Sequence, residues 1–401
     1  MKRRGIIAAI AAAAVAASMC GCMDNGKIMT IDGKEINNGV YLYYQQSAYV
    51  DAQGIIREAS SSESSESESS EIKYFSTSVE GKSTAQWVKD ETMRLVKEYV
   101  AIQKLCDEKG ISLDQIEKDE IAENVRSTWD DTNSYIQYFF KVDTMGKYYE
   151  SFGIGRESYS LVKTSNALRK KLFLKLYDKD GETPVSDEDF IKFVKENYAS
   201  VELLKLDYKD YKGNALTSDS DKKAVDEQAQ KYADRLSGGE SFIDVKYDYD
   251  LKAEQDGSRE DIEDYYDKNP VEGKTKEEYV AEEIAKLTVD KAEDLESIIT
   301  YYKKGDESAD EKILEFVFSA KDDGKAALLK TDDCVYVIAR TDVSEREKWL
   351  EDNRTSLLQQ IKNDDFDEYL DEYAEKLSVD ANSYLIDAKY KPEKLESKQI
   401  F

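Results

Sequence analysis

The run Ser200-Val201-Glu202-Leu203-Leu204-Lys205-Leu206 sets the strongest constraint on what this chain can fold into. Alternate residues of a strand point to opposite faces, so Val201, Leu203 and Lys205 share one face and Leu204 and Leu206 the other. Apolar groups on both faces belong to a strand inside a covered sheet, not to an edge. Downstream, Ala224, Val225, Ala229, Tyr232, Ala233 and Leu236 recur at spacings of three and four, the mark of a helix with one apolar face. Gly238-Gly239 supplies its left-handed stop, and Phe242 follows. Strand and helix together predict an α+β chain in which a small sheet carries helices.

At 401 residues the chain is too long for one ordinary core and is expected to form two or three domains. Its net charge of −28 repels phosphate backbones, which excludes nucleic acid as a partner. It contains no histidine, so the commonest general base and metal ligand are both missing from any chemistry it performs.

Met1-Lys2-Arg3-Arg4 is a basic opening, and the apolar run from Ile6 to Ala17 is shorter than the ~20 residues that span a bilayer. Residues 1–21 therefore read as a secretory signal. Gly21-Cys22 resembles the bacterial lipobox, which implies that Cys22 is acylated and becomes an extracytoplasmic membrane anchor. An ordinary signal with an incidental cysteine pair is the alternative. Cys106 and Cys334 then remain, on a helix face and in a strand, and are expected as buried thiols and not as a disulfide.

Lys27 to Ile31, Asp32-Gly33, and Lys34 to Ile36 predict a hairpin with a two-residue turn. Asn37-Asn38 caps a helix carrying Val40, Tyr41, Tyr43, Tyr44, Ala48 and Tyr49. The segment 59–71 is almost wholly Ser and Glu and is expected to be a disordered loop. Ser83 and Gln86 suggest a capping box before a stripe of Val88, Thr92, Leu95, Tyr99, Ile102 and Cys106, closed by Gly110. Ser112 and Gln115 suggest a second box, with Ile111 and Ile116 as its staple. Another helix is expected over 159–177, with Leu161, Val162, Leu168, Leu172, Phe173 and Leu176, and a further one starts at Ser186 between Val185 and Phe190. The stretch 274–302 also reads as helix, as does 345–377 with Trp349, Leu350, Leu357, Leu358, Ile361, Phe366, Tyr369, Leu370 and Tyr373.

Three pieces carry a family resemblance. The hairpin and aromatic helix at the start resemble the opening of the SurA and PrsA type of bacterial extracytoplasmic foldase. The unit 199–245 resembles the start of a parvulin domain, one fold of prolyl isomerases, and Ile313 to Lys321 with Cys334 to Arg340 resemble its closing helix and hairpin. The layout so implied is a signal at 1–21, a mostly helical SurA-N-like chaperone domain at 22–198, a small four-stranded antiparallel parvulin-like domain at 199–342 with an acidic insertion near 246–310, and a C-terminal helix, 343–401, returning to the N-terminal domain.

In that family two histidines, a Cys or Asp and hydroxyls face the proline of a peptide. Their counterparts fall on Leu203 and Val337, both aliphatic, so no catalytic residue is assigned; the Gly-rich turn of active members has only Gln255-Asp256-Gly257-Ser258 as a poor counterpart. The peptide-binding pocket that the resemblance implies is lined by Leu203, Phe242, Phe316, Phe318 and Tyr336. The implied function is that of a membrane-anchored chaperone holding unfolded, newly secreted polypeptides, with no cofactor and no metal. The 28 tyrosines suit such a surface, or an aromatic core. An active prolyl isomerase, and a surface lipoprotein that binds a solute or envelope polymer, are the alternatives. Asp178-Lys179-Asp180-Gly181 hints at a calcium loop, but Thr183 and Asp189 stand where that loop needs Gly and Glu. The carboxylate runs 260–267 and 364–368 are expected as solvated helix faces.

Overall fold

The computed structural model describes residues 26–63, 72–132, 134–321 and 323–396, and Cys22 and the signal lie outside them. The fold is α+β and mostly helical, with small antiparallel sheets. Two compact units divide it: one runs to Thr183 and resumes at Asn363, and the other is Pro184–Lys362.

The first unit opens with β1 (Lys27–Ile31) and β2 (Lys34–Asn37), paired antiparallel around Asp32 and Gly33, whose φ angles of 46° and 85° make the tight turn. The Asn37 side chain accepts from the Val40 amide at 2.8 Å and starts α1 (Asn38–Glu63). Residues 59–63 are therefore helical and not loop, because buried Ile56 holds the last turns and the Ser60 hydroxyl donates to its carbonyl. The rest of the Ser/Glu segment, 64–71, lies outside the described residues. A second tight hairpin, β3 (Ser78–Val79) and β4 (Lys82–Ser83), leads into α2 (Thr84–Glu108). Ser83 accepts from the Gln86 amide, but Gln86 spends its own side chain on Asp90, so the box there is one-sided.

Next come α3 (Gln115–Asp130), α4 (Ser134–Phe140), α5 (Met145–Phe152) and α6 (Arg156–Tyr177). The reciprocal capping box of α3 is Asp114 with Glu117, two residues beyond the expected pair. Ile116 is consequently 70% exposed and staples nothing. Helices α4 and α5 were not foreseen. Tyr43, Tyr149 and Tyr159 stack with Trp129 inside this unit, at centroid separations of 6.3, 4.8 and 5.7 Å along the series, so much of the tyrosine content is core.

The second unit starts with α7 (Asp187–Asn197), capped by Ser186 and flanked by buried Val185 and Phe190. It continues with β5 (Tyr198–Asp207), α8 (Asp219–Ser237), α9 (Phe242–Gly257), α10 (Arg259–Lys268), α11 (Lys276–Ile284), β6 (Thr300–Lys303), α12 (Glu311–Ser319), β7 (Ala327–Lys330) and β8 (Cys334–Thr341). Its sheet has the order β6-β5-β8-β7, all antiparallel, with β5 in the interior. Gly239, at φ 87°, ends α8: its amide donates to Leu236 and that of Glu240 to Arg235, the paired bonds of a left-handed helix stop. The expected helix over 274–302 is only α11. Beyond it Thr288, Val289, Ile298, Ile299 and Thr300 are β-branched, and the chain turns into β6 to cover β5 at residues 198–201. Gln255-Asp256-Gly257-Ser258 closes the helix α9 and forms no turn of the kind the resemblance needs.

The last helix, α13 (Glu347–Glu375), crosses the division at Lys362/Asn363. Within the second unit Trp349 lies flat on Tyr301, 4.8 Å away. Within the first, Phe366 meets Phe173 edge-on, and β9 (Val379–Ala381) adds a third strand beside β1, pairing Ala381 with Met29 and Val379 with Ile31.

Candidate peptide-binding face

Register decides which side chains can act together. Residues directly opposite in an antiparallel pair share a face, and a shift of one reverses it. Leu203 pairs with Ile338, while Val337 pairs with Leu204. Leu203 and Val337 therefore project from opposite faces of the sheet and cannot bound one pocket. The β8 residues that share Leu203's face are Cys334, Tyr336, Ile338 and Arg340.

That face is covered by α12. Its core is Ala199, Val201, Ile313, Val317 and Ile338, and around the core Leu203, Tyr302, Phe316, Phe318 and Leu329 are only half-buried. Four of the five residues expected to line a pocket, Leu203, Phe316, Phe318 and Tyr336, thus meet on one face. Phe242 does not. It begins α9, is 3% exposed, and packs with Leu204, Tyr232, Val335 and Val337 under the other face, because the left-handed stop of α8 turns the chain down onto the sheet there.

Two arrangements hold α12 in place. The Asp310 carboxylate accepts from the Lys312 amide at 2.8 Å and caps its start. The Arg340 guanidinium donates to the carbonyls of Val317 and Ala320, at 2.8 and 3.0 Å, and so ties its end to β8. The polar groups of this face are few. The Cys334 thiol lies 3.2 Å from the Thr331 hydroxyl, and burial, with the thiol alongside, pushes the Tyr336 phenol well up, so it stays protonated and serves as a donor. An apolar surface of half-buried Leu203, Phe316, Phe318 and Leu329 can hold an apolar peptide segment.

Both remaining cysteines, Cys106 and Cys334, are buried free thiols, and burial raises Cys106 to about 11. Sequence reasoning missed a polar hollow of about 470 Å³ lined by Tyr208, Asp219, Lys222, Lys223, Asp226, Thr331 and Asp332. Here the Tyr208 hydroxyl donates to Asp226 at 2.7 Å and Lys330 pairs with the other oxygen at 2.5 Å. No sequence spacing announces it. Carboxylates 260–267 lie on α10, where Lys212 and Lys276 pair with Glu260 and Asp267, and 364–368 lie on α13.

The class so defined is an α+β chain in which a four-stranded antiparallel sheet, with helices on both faces, accompanies a larger helical unit. No family model matches the chain, and no curated protein does. Among solved structures it is similar to the foldase protein PrsA from Streptococcus pneumoniae, at 15% identity over 81% of this chain and 99% of that one, with a TM-score of 0.29.

Proposed function

We propose that this protein is an extracytoplasmic chaperone of the foldase kind, anchored by a lipid on Cys22, that holds unfolded secreted polypeptides without isomerising their prolyl bonds. The observation that carries the reading is the α12 face: half-buried Leu203, Phe316, Phe318 and Leu329 beside Tyr336, in a chain without histidine. Prolyl rotation faces a barrier of ~20 kcal/mol, and lowering it calls for an oriented polar network that aliphatic side chains cannot supply. A large acidic excess keeps a protein with apolar patches from associating with itself. The test is suppression of aggregation of an unfolded secreted protein by the full chain and by a Phe316→Ser/Phe318→Ser variant. The variant should protect markedly less well at the same thermal transition; equal protection would place client binding elsewhere.

A further inference from the structure

Helix α4 has seven residues, of which only Ile136 is buried, and three of its aromatic side chains face solvent. Tyr135 is 57% exposed, Tyr138 68% and Phe139 43%. Single exposed apolar residues are ordinary. These are contiguous: Phe139 lies 4.4 Å from Tyr135 and 4.9 Å from Tyr138, ring to ring. On the inner side Phe140 packs on Tyr148 at 4.6 Å, and Tyr148 on buried Phe152 at 5.0 Å, so the helix is seated by one edge and presents the other as a platform. Lys141 ends it with φ 53°, a left-handed conformation disfavoured for a residue with a Cβ, and its ammonium stands 4.7 Å over the Tyr138 ring. Exposed carboxylates, Asp130 and Asp143, flank the helix in the chain.

We infer that the outer face of α4, Tyr135, Tyr138 and Phe139, is a second docking surface, and that its occupant is an unfolded segment in which apolar or aromatic side chains alternate with Lys or Arg. The inference rests on the chaperone reading above. Charge complementarity selects the occupant: aromatic faces take up cations, as Lys141 already does in cis, and the flanking carboxylates favour a basic segment and oppose an anionic bilayer.

The test uses the full-length protein and fluorescence anisotropy of a labelled Phe/Leu/Lys peptide, a matched peptide with Glu for Lys, and sedimentation with phosphatidylglycerol vesicles. Tyr135→Ser/Tyr138→Ser/Phe139→Ser should weaken the Lys peptide roughly tenfold with an unchanged thermal transition. Lys141→Asn, which tolerates the left-handed backbone and vacates the ring, should tighten it roughly twofold, a gain that a merely structural helix would not give. Unmoved affinity in the folded triple variant, equal binding of the Glu peptide, or loss of vesicle binding alone, would overturn the inference. Peptide binding lost with α4 while the wild type fails to suppress aggregation would leave this surface standing and remove the chaperone reading. Suppression that persists with unmoved peptide affinity would do the reverse.

Discussion

Phe366→Ala tests the packing by which the end of the chain completes the unit that its beginning starts. Phe366 is fully buried and meets Phe173 and Tyr177 edge-on, at 5.3 and 6.2 Å, while the Arg169 guanidinium stands 4.9 Å over its ring. Truncating a buried phenylalanine costs about 3–5 kcal/mol, and the edge-on contacts place this one in the middle of that range or above. Arg169 keeps its partners Glu98 and Asp367, so no unpaired cation adds to the loss. A cost of about 4 kcal/mol is a large part of the 5–15 kcal/mol that stabilise a domain, and at ~2 kcal/mol per molar urea it lowers the midpoint by ~2 M. Trp87 and Trp129 belong to this unit and Trp349 to the other, so a Trp349→Phe background makes tryptophan fluorescence report on the first alone. A midpoint lowered by less than about 0.5 M would contradict this packing.

Other perturbations have equally definite outcomes. Gly146 lies against the Trp129 ring, and a Cβ there would overlap it, so Gly146→Ala should lower the melting temperature of the first unit although alanine favours helix; an unchanged or raised value contradicts this packing. Lys171 and the Asp114 amide hold the Glu117 carboxyl below its usual range, so its contribution is present above about pH 4 and lost as pH falls through the folded value; Glu117→Gln should be less stable at neutrality and equal to wild type in acid. Glu202 has the opposite sign. Burial pushes its carboxyl up, with Arg346 offsetting in part, so its stabilising contribution belongs to low pH and fades as pH rises, and Glu202→Gln should raise the melting temperature at neutrality with a gain that vanishes near pH 4. Cys22→Ser should move the protein from the membrane to the soluble fraction; a wild type already soluble without detergent contradicts the anchor.

Strong local patterns were readable because short-range physics suffices to fix them. The two-faced strand at 200–206, the Asp32-Gly33 turn and the Gly238-Gly239 stop each need only their own residues. Strand β6 has four residues and β9 three, and neither exists without the strand it pairs with, so neither leaves a local signature. Helix α4 hid for another reason: Tyr-Ile-Gln-Tyr-Phe-Phe suits a strand as well as a helix. At α3 two capping pairs were available, and Lys171, which pairs with Glu117 at 2.7 Å, favours the one that sequence spacing did not choose. The α12 half of the candidate face was legible from its aromatic residues alone, whereas the pairing of Leu203 with Ile338, which puts Val337 on the other face, and the turn after α8, which puts Phe242 there too, depend on how distant segments meet.

The most direct measurement places one preparation of the full chain in two assays, aggregation of an unfolded secreted protein and cis-to-trans conversion of a proline tetrapeptide. Leu203→His/Ile338→His serves as the comparison, since these two positions, unlike Leu203 and Val337, share a face. Suppression of aggregation near stoichiometric ratios is expected, with conversion at the uncatalysed rate. Conversion clearly faster than uncatalysed in the unmodified protein would contradict this, as would failure to suppress aggregation.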